Sequence, residues 1–297
     1  MHEMKDADWE RLISQLRKGA CTPFLGAGAC AGSLPSGAQL SERLAARWGY
    51  PFGDRANLTK VTHYGAMKFG ESIHVKEQVC AELAAAGVPD FSDPLEPHGL
   101  LAGFPFPVYL TTNYDDFIYQ SLKAAGKDPN VALCPWHGGL AFDEDLFRHK
   151  AGWNPGPDAP LIYHLHGRIQ DPSSLVITED DYLEFVFNLA YDRAAETPIM
   201  LPAAVMRALT TRSLLFVGYS LQDWTFRFLF NSLHRAVPGI NRRRHISVQL
   251  APSVDGTAVG DLQRELQRYY EDWKVSIFWG TPAQFCEQLR ERMGTIT

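Results

Sequence analysis

The chain has few of the residues that would place it outside a reducing, aqueous setting. Its five cysteines, Cys21, Cys30, Cys80, Cys134 and Cys286, are odd in number and far apart, and no two stand at Cys-x-x-Cys spacing. That excludes a zinc ribbon and argues against a disulfide framework, so a cytoplasmic protein is expected. Apolar runs reach only a fraction of the roughly 20 residues that a membrane span needs. The opening Met1-His2-Glu3-Met4-Lys5-Asp6 is charged and lacks the apolar segment of a secretory signal. Basic runs are scarce too: Arg242-Arg243-Arg244 stands alone, before an expected strand, in a chain of net charge -6. Neither direct nucleic-acid binding nor membrane attachment is expected. Repeats, low-complexity tracts and linkers are also missing. At 297 residues, 45% hydrophobic and 21% charged, the chain suits one globular domain over residues 1–297.

What is present is an alternation of apolar runs and amphipathic stretches. The spacing of Trp9, Leu12, Ile13 and Leu16 predicts a helix over 6–18. Strands are expected at 21–25, 107–112, 161–165, 175–177, 214–218, 245–250 and 275–279. Helices are expected at 116–125, from Thr178 to about 190, at 198–209, after Asp223, and at 258–270 and 282–293. Uniformly apolar strands separated by helices imply a parallel sheet covered on both faces. The fold class is therefore α/β, a Rossmann-like doubly wound parallel sheet. Between the first two strands, residues 38–48, most of 59–86 and 96–102 read as helical, and together 38–104, far longer than an ordinary crossover, are taken as an inserted helical module. Residues 128–160, rich in Pro, Gly and Trp, read as a long ordered loop. Trp136 and Trp153 within it could face a partner, although packing into their own domain is the commoner use of tryptophan.

Four strands end in turns of unusual chemistry: Gly26-Ala27-Gly28-Ala29, Thr112-Asn113-Tyr114-Asp115, His166-Gly167 and Gly218-Tyr219-Ser220-Leu221. Ligands of open α/β sheets sit beyond the C-terminal ends of the strands, where glycine lets backbone N–H groups approach a phosphate. The third glycine of the common dinucleotide fingerprint is replaced by Ala31. No acidic residue follows in the usual ribose-binding place, Glu42 being too close, which disfavours a plain dehydrogenase. Asp115 reads equally as an Asx turn or as part of a site, and Asp223 as a helix N-terminal carboxylate or as part of a site. Asn113 and His166 are read as functional because both should face the crevice of the glycine loop.

In this order the four turns resemble the nucleotide-binding signatures of the sirtuins. The Asn-Tyr-Asp and Gly-Tyr-Ser-Leu-x-Asp forms are similar to those of the sirtuin-like branch of bacterial antiphage defence. The resemblance covers most of the chain. It implies an NAD site, with Asn113 and His166 catalytic; in the chemistry of such a site Asp115 could orient either group. It further implies that Gly26, Ala27, Gly28, Ala29, Thr112, Gly218, Ser220 and Leu221 hold the pyrophosphate and adenosine. Two departures bear on the substrate. The four-cysteine zinc module of the protein deacylases has no counterpart, since no cysteine lies between Cys134 and Cys286, and Pro35 is followed by Ser36-Gly37-Ala38 instead of the deacylases' x-Phe-Arg. No zinc or other metal is expected.

The activity so implied is hydrolysis of NAD, as substrate, to nicotinamide and ADP-ribose, with a cyclised product as an alternative. Its rivals are a sirtuin-type deacylase or ADP-ribosyltransferase, and an NAD-binding sensor or scaffold subunit. The resemblance also implies control by assembly, as homo-oligomers and with a partner such as a HerA-type hexameric ATPase or a short Argonaute.

Overall fold

The computed structural model describes residues 4–149, 154–219, 243–250 and 259–295. Seven strands form one sheet: β1 (Cys21–Leu25), β2 (Val108–Thr111), β3 (Asn130–Leu133), β4 (Leu161–His164), β5 (Ser213–Val217), β6 (His245–Gln249) and β7 (Val275–Trp279). Their order is β3-β4-β2-β1-β5-β6-β7, and every pairing is parallel. This is the Rossmann-like α/β architecture, with the topological switch between β1 and β5.

Alternation along the strands divides the core. Phe24, Leu110, Tyr163 and Phe216 face one side, where α7 (Glu179–Asp192), α8 (Ala203–Thr211) and α9 (Val259–Glu271) supply Phe185, Val205 and Tyr270. Leu25, Tyr109, Ile162 and Leu215 face the other. There α1 (Asp6–Arg17) contributes Trp9 and Leu16, and α5 (Pro97–Ala102), α6 (Phe117–Ala124) and α10 (Pro282–Thr295) contribute Leu101, Ile118 and Phe285. Successive side chains of a strand point to opposite faces, so a sheet clad on both sides needs the continuous apolar runs found here.

Between β1 and β2 stand α2 (Gly37–Trp48), α3 (Leu58–Phe69), α4 (Ser72–Ala84) and α5. The first three close a third core around Leu44, Trp48, Val61 and Val79, which reaches Leu175 and Ile177 of the sheet domain. Ser36 starts α2 with a reciprocal capping box to Gln39, and Gly49 ends it at φ 66°. A second box, Thr178 with Asp181, starts α7, where the sequence places a cap.

Three expectations are corrected. The run Leu175-Val176-Ile177 is buried but is not a strand, because its backbone groups bond outside any ladder. Val176 N–H donates to the His166 carbonyl at 3.1 Å, the Val176 carbonyl accepts from the Tyr114 hydroxyl, and Ile177 N–H donates to Asp181. The expected loop over 128–160 contains a strand, β3, paired with β4 at the sheet edge and only partly buried, so it shows no clean alternation. The helix expected at 198–209 is α8, which begins only after Pro202. Trp136 packs inward, 2% exposed, its indole N–H donating to the Ser174 carbonyl. The helix expected after Asp223, and Trp153, lie outside the described residues.

Candidate active site

The turns after β1, β2, β4 and β5 converge on one cavity of about 330 Å³ beyond the C-terminal edge of the sheet. Seven of the residues singled out above line it: Gly26, Ala27, Thr112, Asn113, Asp115, His166 and Gly218. Leu40 of α2, Leu58 of α3 and Leu83 of α4 supply an apolar wall opposite. The cavity is therefore a crevice between the strand ends and the helices inserted after β1.

Glycine is required where the two loops meet. Gly218 sits at φ 71°, and a Cβ there would stand 1.9 Å from the Ala29 nitrogen and 2.4 Å from the Gly28 carbonyl carbon. The contact is backbone on backbone: Gly28 N–H donates to the Gly218 carbonyl at 2.8 Å, and Gly26 N–H to the Val217 carbonyl at 3.0 Å. Gly28 and Ala29 thus support the rim from behind and do not line the cavity. Ser220 and Leu221 lie outside the described residues.

Asn113 is held on every side. Its N–H donates to Thr111 Oγ1 at 2.9 Å, and its carbonyl meets His164 Nδ1 at 3.2 Å. Its side-chain Nδ2 donates to the Gly26 carbonyl at 3.1 Å and to Cys30 Sγ at 3.2 Å. A carbonyl can only accept, so the amide orientation follows from Gly26: turned over, Oδ1 would face that oxygen. Both Nδ2 hydrogens are spent, and among the described residues no partner is seen for Oδ1. The group Asn113 presents to the cavity is consequently a hydrogen-bond acceptor.

Cys30 continues the chain by donating to Asp115 Oδ2 at 3.1 Å, while Asp115 Oδ1 accepts the Phe117 N–H at 3.0 Å. Burial, reinforced by the Asp115 charge, pushes the Cys30 thiol well above the ordinary cysteine range. It stays protonated, a donor and not a nucleophile. Asp115 therefore serves as the Asx-type cap of α6 and also touches the site. Behind it, His98 Nδ1 lies 2.6 Å from Glu96 Oε1, both residues nearly fully buried. Cys30, His98 and Asp115 bring a sulfur, a nitrogen and an oxygen within 4.8 Å of one another. Such a donor set could hold a divalent metal, but the thiol already has hydrogen-bond partners on both sides.

His166 follows β4, 5% exposed, with its ring edge-on to Tyr182 at 5.4 Å and to Phe185 at 5.0 Å between centroids. The next residue, Gly167, has φ 83°, and a Cβ there would stand 2.2 Å from the Ser174 carbonyl oxygen. The turn that brings His166 to the cavity depends on that glycine. Sequence reading missed Cys30 as a site residue, although it adjoins the glycine loop. It also missed Tyr182, which carries no local signal because α7 delivers it from a distant part of the chain.

His164, two residues earlier and wholly buried, has its pKa lowered from 6.5 to about 4, first by burial and then by the Arg168 charge. The folded protein therefore keeps this imidazole neutral while the unfolded chain protonates it. Its stabilising contribution is complete above about pH 6.5 and declines as pH falls towards about 4, by on the order of 3 kcal/mol. Urea unfolding midpoints at pH 7 and pH 5 should show the decline, and His164→Asn should flatten it. Equal slopes in the two proteins would refute the assignment.

A parallel doubly wound sheet with glycine turns at its switch point defines a nucleotide-binding α/β protein. Residues 107–278 match the family described as a SIR2-like domain, and the chain belongs to that family. It is 28% identical over 243 residues to the NAD(+) hydrolase ThsA of Enterococcus faecium, covering 80% of this chain and 45% of that protein. The NAD(+) hydrolase ThsA of Acinetobacter baumannii is 24% identical over 243 residues, 80% of this chain and 44% of that one. For the Bacillus cereus NAD(+) hydrolase ThsA the figures are 26% over 157 residues, 53% and 28%. The chain spans about half the length of these curated relatives, or less. Among the described residues no helix is long and apolar enough to cross a membrane.

Proposed function

We propose that this chain is an NAD glycohydrolase that cleaves NAD to nicotinamide and ADP-ribose and acts in antiphage defence. The observation that carries the reading is the pairing, in one buried crevice at the switch point, of a fixed amide acceptor, Asn113 Oδ1, with an imidazole, His166. The relatives named NAD(+) hydrolase add to it. Breaking the nicotinamide–ribose bond builds positive charge on the ribose, so the protein must hold the sugar, admit water and take up a proton. Asn113 Oδ1 would accept from a ribose hydroxyl or from the attacking water. His166 would take the water's proton as general base, a role an imidazole commonly fills. Asp115 would orient Asn113 through Cys30. Gly26 and Ala27, backed by Gly28 and Ala29, would hold the pyrophosphate and adenosine together with Thr112, Gly218, Ser220 and Leu221, and the helices after β1, an inserted module within one catalytic domain, would cover the ligand. The bond that breaks releases neutral nicotinamide, and water supplies the hydroxyl of ADP-ribose and one proton.

An enzyme that consumes NAD would harm its own cell unless held inactive. We therefore include control by assembly, as homo-oligomers and with a HerA-type hexameric ATPase or a short Argonaute. Support for this part is the resemblance to the defence branch.

Turnover in ¹⁸O-labelled water separates the chemistries. Hydrolysis predicts one labelled oxygen in ADP-ribose. Unlabelled cyclic ADP-ribose would indicate cyclisation, and binding of NAD without conversion would favour a sensor subunit.

A further inference from the structure

The Cys30 thiol lines the cavity but has so far no role of its own. It is 3% exposed, adjoins the glycine loop and has its proton committed to Asp115. Its burial and its partner make it a poor nucleophile and a poor target for oxidation. A structural thiol needs neither of its hydrogen bonds, because buried cysteine packs as a small hydrophobe. Cys21, Cys80, Cys134 and Cys286 are buried as well, and none of them lines the cavity.

We propose that Cys30 is the positioning residue that fixes which atom Asn113 presents to substrate. The proposal rests on the NAD-cleaving reading for its catalytic consequence, but not for its structural content. The bond polarities run one way: Phe117 N–H to Asp115, Asp115 from the thiol, the thiol from Asn113 Nδ2. Asp115 anchors the thiol proton. The sulfur lone pair thereby faces Asn113 and can only accept. With Gly26 taking the other Nδ2 hydrogen, the amide plane is held from two directions, which leaves Oδ1 as the group available to substrate. Losing the sulfur leaves Gly26 as a single pivot about which the amide can turn.

Serine has the same one-donor, two-acceptor capacity as a thiol in this position, and alanine has none. The decisive comparison is therefore wild type, Cys30→Ser and Cys30→Ala, each checked for unchanged thermal unfolding. The direct readout is the pair of Asn113 Nδ2 proton signals in protein carrying ¹⁵N-asparagine, assigned by their loss in Asn113→Ala. Two exchange-protected signals are expected in wild type and Cys30→Ser, with loss of protection and a shift towards the positions of a freely solvated asparagine amide in Cys30→Ala. The second readout is NAD turnover. The kcat of Cys30→Ala should fall roughly 10- to 100-fold, with KM changed less than about threefold and serine restoring most of the rate. Asn113 signals in Cys30→Ala matching those of wild type would overturn the proposal, whatever the turnover. Absence of NAD cleavage by wild type would count against the proposed reaction alone, and the asparagine signals would still decide the role of Cys30.

Discussion

Replacing His166 by alanine should lower the rate of nicotinamide release about 10²- to 10⁴-fold, the usual worth of a positioned general base. The ring is nearly buried, so stability must be watched alongside. Alanine removes edge contacts to Tyr182 and Phe185, and a modest drop in unfolding temperature is expected. The backbone around the residue should survive, because the Val176 N–H to His166 carbonyl bond and the Gly167 turn do not involve the imidazole. His166→Gln, which fills more of the space without titrating, should be equally slow. A slow alanine variant with an active glutamine variant would assign the ring a packing role instead.

The second large effect concerns the joint between the inserted helices and the sheet domain. Lys76 of α4 reaches Asp181 Oδ1 at 2.9 Å, with side chains 7% and 11% exposed, and its ammonium lies 5.2 Å from the centroid of the Trp136 ring. Asp181 is also the second member of the capping box of α7, its other oxygen accepting from Ile177 and Thr178 at 3.1 and 2.9 Å. Lys76→Met would leave that carboxylate buried without its cation, a loss of about 3–5 kcal/mol. The urea midpoint should fall accordingly. Adding Asp181→Asn should recover part of the loss, since the stranded charge is then gone while an acceptor remains for the cap. A Lys76→Met protein as stable as wild type would mean that the pair is not the joint.

Much of the fold was legible because parallel strands clad on both faces must be apolar throughout, and β1, β2, β4 and β5 are. The lining of the cavity was legible where chemistry and position coincide, as at Asn113 and His166, each two residues beyond a strand end. The run 175–177 misled because three buried aliphatic residues satisfy the same pattern whether their backbone joins a ladder or bonds to His166, Tyr114 and Asp181. β3 was hidden because a short edge strand is half solvated and carries no alternation. Cys30 and Tyr182 were missed for different reasons. The thiol's role depends on the polarity of a hydrogen-bond chain between β1 and β2, and Tyr182 depends on where α7 docks.

The central claim is tested most directly by nicotinamide release from NAD, measured with the purified protein beside Asn113→Ala and His166→Ala. The account predicts release by wild type, alone or with co-purified partners, and its near-disappearance in both variants. Release by both variants at the wild-type rate would contradict it.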